Sequence, residues 1–186
     1  SYTWTPASAH VSLRVDVRQD PHAVTSTTVA LKASSDTTPA EGAWAWGARG
    51  WWYRYSDGTY PANTSKTIDG QVYRFDADGY MRTGWVFERG SWYYHAASGV
   101  QATGWVLDGV SWYYLTPGTG QMATGWIKDG SHWYYLNPAN GKMKTGWHYE
   151  DGSWYYLKPG SGQMATGRLW IVWKYYRFAD NGKLIR

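Results

Sequence analysis

The chain has 186 residues, a net charge of +4 and no cysteine, and it carries 15 Trp and 17 Tyr against only 3 Phe. The lack of cysteine excludes a disulfide framework and thiolate chemistry. The scattered Lys and Arg form no basic stripe or reader motif that would predict nucleic acid as a partner, and no apolar run is long enough for membrane insertion. Because Trp and Tyr combine an apolar ring with a polar edge, their abundance indicates a half-hydrated surface that binds a ligand.

Residues 1–38 lie outside the repetitive part of the sequence. The alternation of apolar and polar residues over 11–17 (VSLRVDV) predicts a strand, and residues 27–32 predict another. The pattern YTWTP followed by VSLRVDVRQD resembles the closing strands of an immunoglobulin-like domain of bacterial surface proteins. Such a sandwich needs about seven strands. We therefore expect an incomplete β segment whose free edges pair with the first repeat or with another chain, which leaves a dimer open.

The domain boundary is predicted from a change in composition. Residues 34–42 (SSDTTPAEG) are small and polar, which is typical of a linker. We predict the incomplete β segment and its linker over residues 1–38 and a repeat domain over residues 39–186. The chain starts at Ser1, without an initiator Met or a signal peptide, and we interpret it as a fragment of a larger protein.

From Ala43 onward the sequence repeats itself. The triplet Thr-Gly-Trp recurs at a step of 20 or 21 residues, and a second aromatic residue follows seven positions after each triplet. The triplets end at Trp85, Trp105, Trp126 and Trp147, with Arg168 in a degenerate copy. The second positions are Trp92, Trp112, Trp133, Trp154 and Tyr175. A fixed period of this length is the signature of a repeat architecture, here of about six repeats.

The first two repeats depart from this pattern. In the first, Trp44 and Trp51 keep the spacing of seven, whereas an alignment on Trp52 fits the turn signal at residues 56–58 better. The sequence leaves both registers open. The second repeat has Ser65 and Val72 in place of the two Trp residues. Irregular terminal repeats are expected, because they cap the stack.

Turn signals inside each period predict β-hairpins. These signals are Asp108-Gly109, Asp129-Gly130 and Asp151-Gly152, with Arg89-Gly90 as a variant. They are typical of type I′ turns, in which both central residues have positive φ. The flanking segments are short and aromatic, which suits strands on a half-buried surface, and no stretch has helical periodicity. One hairpin is marginal alone, so we predict an all-β fold in which stacked hairpins bury each other's faces as a β-solenoid.

The regular repeats resemble a known family. The segments TGWIKDGSHWYYLNPANGKM (124–143) and TGWHYEDGSWYYLKPGSGQM (145–164) are similar to the cell-wall-binding repeats of the choline-binding family, and the resemblance covers roughly residues 44–186. Related repeats occur in α-glucan-binding regions of glucosyltransferases and in receptor-binding regions of clostridial toxins. The resemblance implies hairpins wound into a left-handed superhelix, with ligand sites between consecutive hairpins.

The resemblance also implies the residues of these sites. The family's site is a cage of two Trp from one hairpin and an aromatic residue from the next, often closed by Met. Carried over to this sequence, the cages are Trp105, Trp112, Met122 and Tyr135; Trp126, Trp133, Met143 and Tyr156; and Trp85, Trp92 and Tyr114, with Gln101 in place of Met. The second Tyr of each triplet is chosen because strand alternation puts it on the same face as the Trp. The cage opened by Trp147 and Trp154 should be the weakest, because Arg177 takes the position of the third ring and repels a cation.

These cages suit a quaternary ammonium, which is attracted by the faces of aromatic rings within about 6 Å at roughly 0.5–2 kcal/mol per ring. Weak sites on one rod gain by avidity on a polymer that bears many choline groups. No metal-ligand spacing, nucleophile motif or phosphate loop indicates catalysis or a cofactor. We expect a non-catalytic module that holds a secreted protein on the bacterial cell surface through choline-bearing teichoic acid. A polysaccharide binder, such as an α-glucan binder, and a spacer or protein-interaction rod remain alternatives.

Overall fold

The computed structural model describes residues 42–185, which form strands, turns and loops without a helix. The hairpins are β1 (Gly42–Gly47) with β2 (Gly50–Tyr55), β3 (Thr64–Ile68) with β4 (Gln71–Phe75), β5 (Gly84–Glu88) with β6 (Ser91–His95), β7 (Gly104–Asp108) with β8 (Ser111–Leu115), β9 (Gly125–Asp129) with β10 (His132–Leu136), β11 (Gly146–Glu150) with β12 (Ser153–Leu157), and β13 (Gly167–Ile171) with β14 (Lys174–Phe178). A short β15 (Leu184–Ile185) pairs with β14. The all-β prediction of hairpin repeats is confirmed.

The structure contains seven hairpins where about six repeats were expected. The predictions for residues 1–38 lie outside the described residues, and the left-handed winding stays a prediction. Residues 42–185 include no helix that could span a membrane.

The hairpin turns are tight, but two of them are centred one residue later than predicted. Arg89 has a φ of 49°, and both Asp151 and the following glycine have positive φ, as a type I′ turn requires. By contrast, Asp108 pairs with Ser111 and Asp129 pairs with His132 as the last ladder pairs of their hairpins. These two Asp residues therefore end their strands instead of forming the turn, which leaves their side chains available to a neighbouring hairpin.

The first hairpin follows the register set by Trp44. Trp44 pairs with Tyr53 across the ladder, and two residues further along the strand Trp46 pairs with Trp51. The regular hairpins have the same arrangement, with Trp85 opposite the second Tyr of its triplet. The alignment on Trp44 and Trp51 is therefore the correct one of the two that the sequence left open.

The inner hairpins use both of their faces to stack. Residues opposite each other on an antiparallel ladder share a face, and successive residues alternate between faces. In the fourth hairpin, Trp105 therefore shares one face with Tyr114, while Tyr113 lies on the other face. The Trp face of one hairpin packs against the opposite face of the next, where the Trp105 ring lies 4.8 Å from the Tyr134 ring.

A column of buried side chains runs through the stack. The residue that ends each second strand from β4 onward is at most 2% exposed. These residues are Phe75, His95, Leu115, Leu136, Leu157 and Phe178. Burial of a side chain of this size stabilises the fold by about 1.5–3 kcal/mol. Each repeat from the second onward therefore has a small buried core at the end of its second strand.

Candidate ligand-binding sites between successive hairpins

The same four positions recur at five places along the stack. We call each set an aromatic site: the first and second Trp of one hairpin, the first Tyr of the next hairpin, and the Met in the loop after that next hairpin. The sets are Trp44, Trp51, Tyr73 and Met81; Trp85, Trp92, Tyr113 and Met122; Trp105, Trp112, Tyr134 and Met143; Trp126, Trp133, Tyr155 and Met164; and Trp147, Trp154 and Tyr176, with Leu184 in place of Met. Each site is named below by its first Trp.

The rings of an aromatic site meet at steep angles, and the second Trp is the ring that is open to solvent. The centroid of the first Trp lies 4.7 to 5.0 Å from that of the Tyr in the next hairpin at all five sites. The two Trp rings of the Trp105 site are 6.5 Å apart and inclined at 84°. The second Trp stays exposed, at 39% for Trp112 and 45% for Trp51. Such large apolar faces, kept open at a regular interval, are typical of a binding surface.

A backbone hydrogen bond joins the Met to the preceding hairpin. The amide N–H of Met122 donates to the carbonyl oxygen of Trp92 at 2.8 Å, and the amide of Met143 makes the same bond to Trp112. At the last site Leu184 lines a shallow cleft of about 340 Å³ together with the two Trp residues. The Met side chain also packs on the next loop, because a Cβ placed on Gly141 would collide with Sδ of Met122.

The third ring is not the one that the sequence predicted. Tyr135, expected in the Trp105 site, instead packs on Trp126 of its own hairpin at 5.1 Å and is only 6% exposed. Tyr114 and Tyr156 likewise pack on the first Trp of their own hairpins. Alternation does place the second Tyr on the same face as the Trp, but the next hairpin presents its opposite face. The first Tyr of the triplet therefore supplies the ring.

The Met residues are displaced by one repeat from the prediction. Met122 was expected beside Trp105, but its backbone bond joins it to the second Trp of the hairpin before. The backbone of Met122 is therefore tied to the hairpin that carries Trp85 and Trp92. The amide of Gln101, expected in that site, bonds to the carbonyl of Val72 in the second repeat. The loop after a hairpin reaches back to the previous hairpin, which the linear order of the sequence does not reveal.

Two further differences concern the ends of the stack. The Trp44 site was missed, although the spacing of seven between Trp44 and Trp51 was a visible signal. At the other end, Trp147 packs against Tyr176 at 4.9 Å. Arg177 lies on the opposite face, across the ladder from Arg168. The physical reason for expecting the last site to be the weakest therefore does not hold.

Carboxylates from the next hairpin hold the first Trp at three of the sites. Nε1 of Trp85 donates to Asp108 at 2.9 Å, and Nε1 of Trp105 donates to Asp129 at 3.0 Å. The equivalent bond from Trp126 goes to Glu150. Each bond fixes the ring and places a negative charge beside a site that suits a cation. Asp108 and Asp129 were predicted only as turn residues, but the recurrence of an acid with the period of the repeat was a usable signal.

A buried histidine lies behind the Trp126 site. The ring of His148 packs on Tyr135 with centroids 3.9 Å apart, and its Nδ1 lies 3.1 Å from Nζ of Lys144. Burial, followed by the charge of Lys144, lowers the pKa of His148. Burial opposes ionisation of Glu150, but the hydrogen bonds from Trp126 and Tyr135 outweigh it and lower the pKa of that carboxyl. At neutral pH the site therefore has a neutral imidazole and a charged carboxylate.

The repeats match a known family model, the choline-binding repeat, over residues 62–98, 89–124 and 123–169. These matches together span more than half of the chain. A search of curated protein sequences gave no match.

Solved structures with similar folds come from Streptococcus pneumoniae. Choline binding protein F, solved with a peptidoglycan analogue, is 34% identical over 78% of this chain and 52% of its own, with a TM-score of 0.71. CbpJ is 35% identical with the same coverage and a TM-score of 0.73. The modular autolysin LytC is 31% identical over 77% of this chain and 33% of its own, with a TM-score of 0.61. The chain thus spans about half the length of the first two proteins and about a third of LytC. It belongs to the choline-binding repeat family.

Proposed function

We propose that the chain attaches a secreted protein to the bacterial cell surface by binding choline groups of cell-wall teichoic acid in its aromatic sites. It acts by binding and carries out no reaction of its own. The observation that supports this most is the fivefold recurrence of a first Trp ring packed on the first Tyr ring of the next hairpin, in a hairpin whose second Trp stays exposed.

The chemistry of the sites favours a quaternary ammonium group. Its positive charge is diffuse and it has no N–H to donate, so aromatic faces bind it better than hydrogen-bonding groups do. The carboxylates of Asp108, Asp129 and Glu150, each bonded to the indole of a first Trp, add negative charge next to three of the clefts. A rod without ligands would have no physical need to keep the second Trp of five hairpins, such as Trp112, 39% to 45% exposed.

The number of sites compensates for their weakness. Three rings at roughly 0.5–2 kcal/mol each give a millimolar dissociation constant once the costs of binding are included. Five such sites on one chain face a polymer that carries many choline groups. The second binding event is then intramolecular, and overall affinity can exceed that of a single site by about 10²–10⁴-fold.

A titration of the full chain followed by near-ultraviolet circular dichroism of its Trp residues tests this proposal. Choline and tetramethylammonium should both change the spectrum in the millimolar range, and the neutral isostere neohexanol should act much more weakly. An equal response to the neutral compound would show that charge is not recognised. Retention on wall material that bears choline, with elution by free choline but not by dextran, would separate the proposal from glucan binding.

A further inference from the structure

One position between hairpins has no Trp rings and holds a cavity instead. The second hairpin carries Ser65 and Val72 where the other hairpins before the last carry Trp. A cavity of about 320 Å³ lies between it and the third hairpin. Tyr93, which takes the position of the first Tyr of an aromatic site, still lines it. The cavity therefore lies at the position of an aromatic site, but it keeps only the Tyr ring. Polar side chains line the space that the two Trp rings fill at the other sites.

Two of the polar groups that line this cavity are held by the buried guanidinium of Arg74. Arg74, which is 9% exposed, donates through Nη2 to the side-chain oxygen of Asn63 at 3.1 Å, and its Nε lies 3.1 Å from Oε2 of Glu88. Asn63 and Glu88 both line the cavity, as do Ser65 and Gln101. Nε2 of Gln101 donates to a backbone carbonyl at 3.2 Å, which orients this amide as well. A side chain already fixed by its neighbours loses little entropy when it binds a ligand.

Most of the groups that remain for a ligand are neutral or paired, and the exception is the guanidinium of Arg89, which also lines the cavity and would repel a cation while it can donate to hydroxyl oxygens. The amide nitrogen of Asn63, the hydroxyl of Ser65 and the amide oxygen of Gln101 offer both donors and acceptors. The charge of Glu88 is paired with Arg74, and its second oxygen is an additional acceptor. Nη1 of Arg74 is buried without a partner among the described residues.

This chemistry fits a different ligand from that of the aromatic sites. A quaternary ammonium would meet a single ring here and could donate nothing to the amide and carboxylate oxygens. A sugar ring presents hydroxyl groups that both donate and accept, and it has an apolar C–H face that can lie on the Tyr93 ring. The volume of the cavity is at the lower end of the about 300–1,000 Å³ of small-molecule sites, which suits one sugar unit.

We propose that the cavity between the second and third hairpins binds one neutral sugar unit, through Asn63, Ser65, Glu88 and Gln101 with Tyr93 as a stacking platform. The chain would then bind a wall polymer at two kinds of site, one for the polymer's cationic groups and one for its sugar units. This inference does not depend on choline binding at the aromatic sites.

Nuclear magnetic resonance of the ¹⁵N-labelled full chain tests the inference. N-acetylglucosamine and glucose are titrated separately, each in the presence of saturating choline. At least one sugar should shift the side-chain amide signals of Asn63 and Gln101 in a saturable way, while the indole N–H signals of the aromatic sites stay in place. Ser65→Trp should fill the cavity and abolish these shifts, and Gln101→Ala should raise the dissociation constant about fivefold through loss of one hydrogen bond.

The control is Gln163→Ala, which changes a glutamine in another loop of the stack and should leave sugar binding unchanged. Full binding in a folded Ser65→Trp variant would overturn the proposal, and so would the absence of a shift with both sugars. It would also be overturned if choline alone moved the Asn63 and Gln101 signals. If Ser65→Trp does not fold, an unchanged affinity of Gln101→Ala for the sugar would overturn the proposal instead. The proposal of choline binding fails on a different result, which is that choline does not shift the indole N–H signals of the aromatic sites.

Discussion

The exposed second Trp of an aromatic site should contribute directly to ligand binding, and Trp112→Ala is the change that tests this. Trp112 forms one wall of the Trp105 site, with its ring 6.5 Å from the first Trp, and it is 39% exposed. Its removal takes one of three rings from the cleft and leaves the buried Leu115 and the backbone ladder of the hairpin in place. We expect weaker choline binding at this site alone.

The size of the effect follows from the energy of one ring. Loss of about 0.5–2 kcal/mol of cation–π attraction raises the dissociation constant of the site roughly 2- to 30-fold. At a choline concentration about ten times the original dissociation constant, the intact site stabilises the fold by about 1.4 kcal/mol, and a site weakened about tenfold by about 0.4 kcal/mol. For a domain of this size the difference of about 1 kcal/mol lowers Tm by about 2–4 °C.

Thermal melting with and without choline measures this difference. The relevant quantity is the choline-induced rise in Tm of each variant, because Trp112→Ala also changes stability without ligand. The matched control is Trp173→Ala, which removes an 87% exposed Trp from the last hairpin turn, outside every aromatic site. A full choline-induced rise in Trp112→Ala, or an equal loss in both variants, would refute the assignment of Trp112 to a binding wall.

Three further predictions follow from the geometry of the stack. Tyr176→Ala should weaken choline binding at the last aromatic site, whereas Arg177→Tyr should leave it unchanged. A choline titration that follows the indole N–H signals of this site distinguishes the two variants. Tighter binding in Arg177→Tyr would restore the sequence-based assignment of Arg177 to this site. Asp129→Ala should reduce the free energy of unfolding in urea by about 1 kcal/mol, because it removes the acceptor of a part-buried indole N–H. The lowered pKa of His148 means that the unfolded chain takes up its proton first as the pH falls below about 6.5, so Tm should fall between about pH 7 and pH 5. Burial also lowers the pKa of His95, so His148→Ile should remove only part of this dependence. The exposed His132→Gln is the control, and equal profiles for both variants would contradict the contribution of His148.

The hairpin fold could be predicted because its determinants are local. The period of the triplet, the glycine turn signals and the aromatic strands are all properties of neighbouring residues, and the structure agrees with them over residues 42–185. The two Trp residues of each aromatic site belong to a single hairpin, so their spacing of seven residues was sufficient to place Trp105 with Trp112 and Trp126 with Trp133 on one hairpin. That they form the walls of a ligand site stays a prediction.

The remaining wall could not be assigned in this way, because it depends on how one hairpin meets the next. Alternation gives the face on which Tyr134 or Tyr135 lies, but not which face contacts the preceding Trp. The assignment of Met122 failed for a related reason, since the loop reaches back by one repeat to the carbonyl of Trp92. The role of Asp129 could not be predicted for the same reason, because its partner Trp105 lies 24 residues before it in the previous hairpin. Contacts between repeats require the stacking geometry, which the repeat period alone does not contain.

This stacking geometry links ligand binding to the stability of the rod. In a repeat protein, stability is approximately the sum of the intrinsic stability of each unit and the interaction between neighbours. A choline in the Trp105 site would contact Trp105 and Trp112 from one hairpin and Tyr134 from the next, so its binding energy would add to the term between neighbours. The Met143 backbone bond to Trp112 crosses the same boundary. The second hairpin lacks both Trp rings, and at its boundary with the third the ion pair between Arg74 and Glu88 joins the units in their place. Choline should therefore stiffen the stack at the five aromatic sites and leave this boundary as the place where the rod opens first.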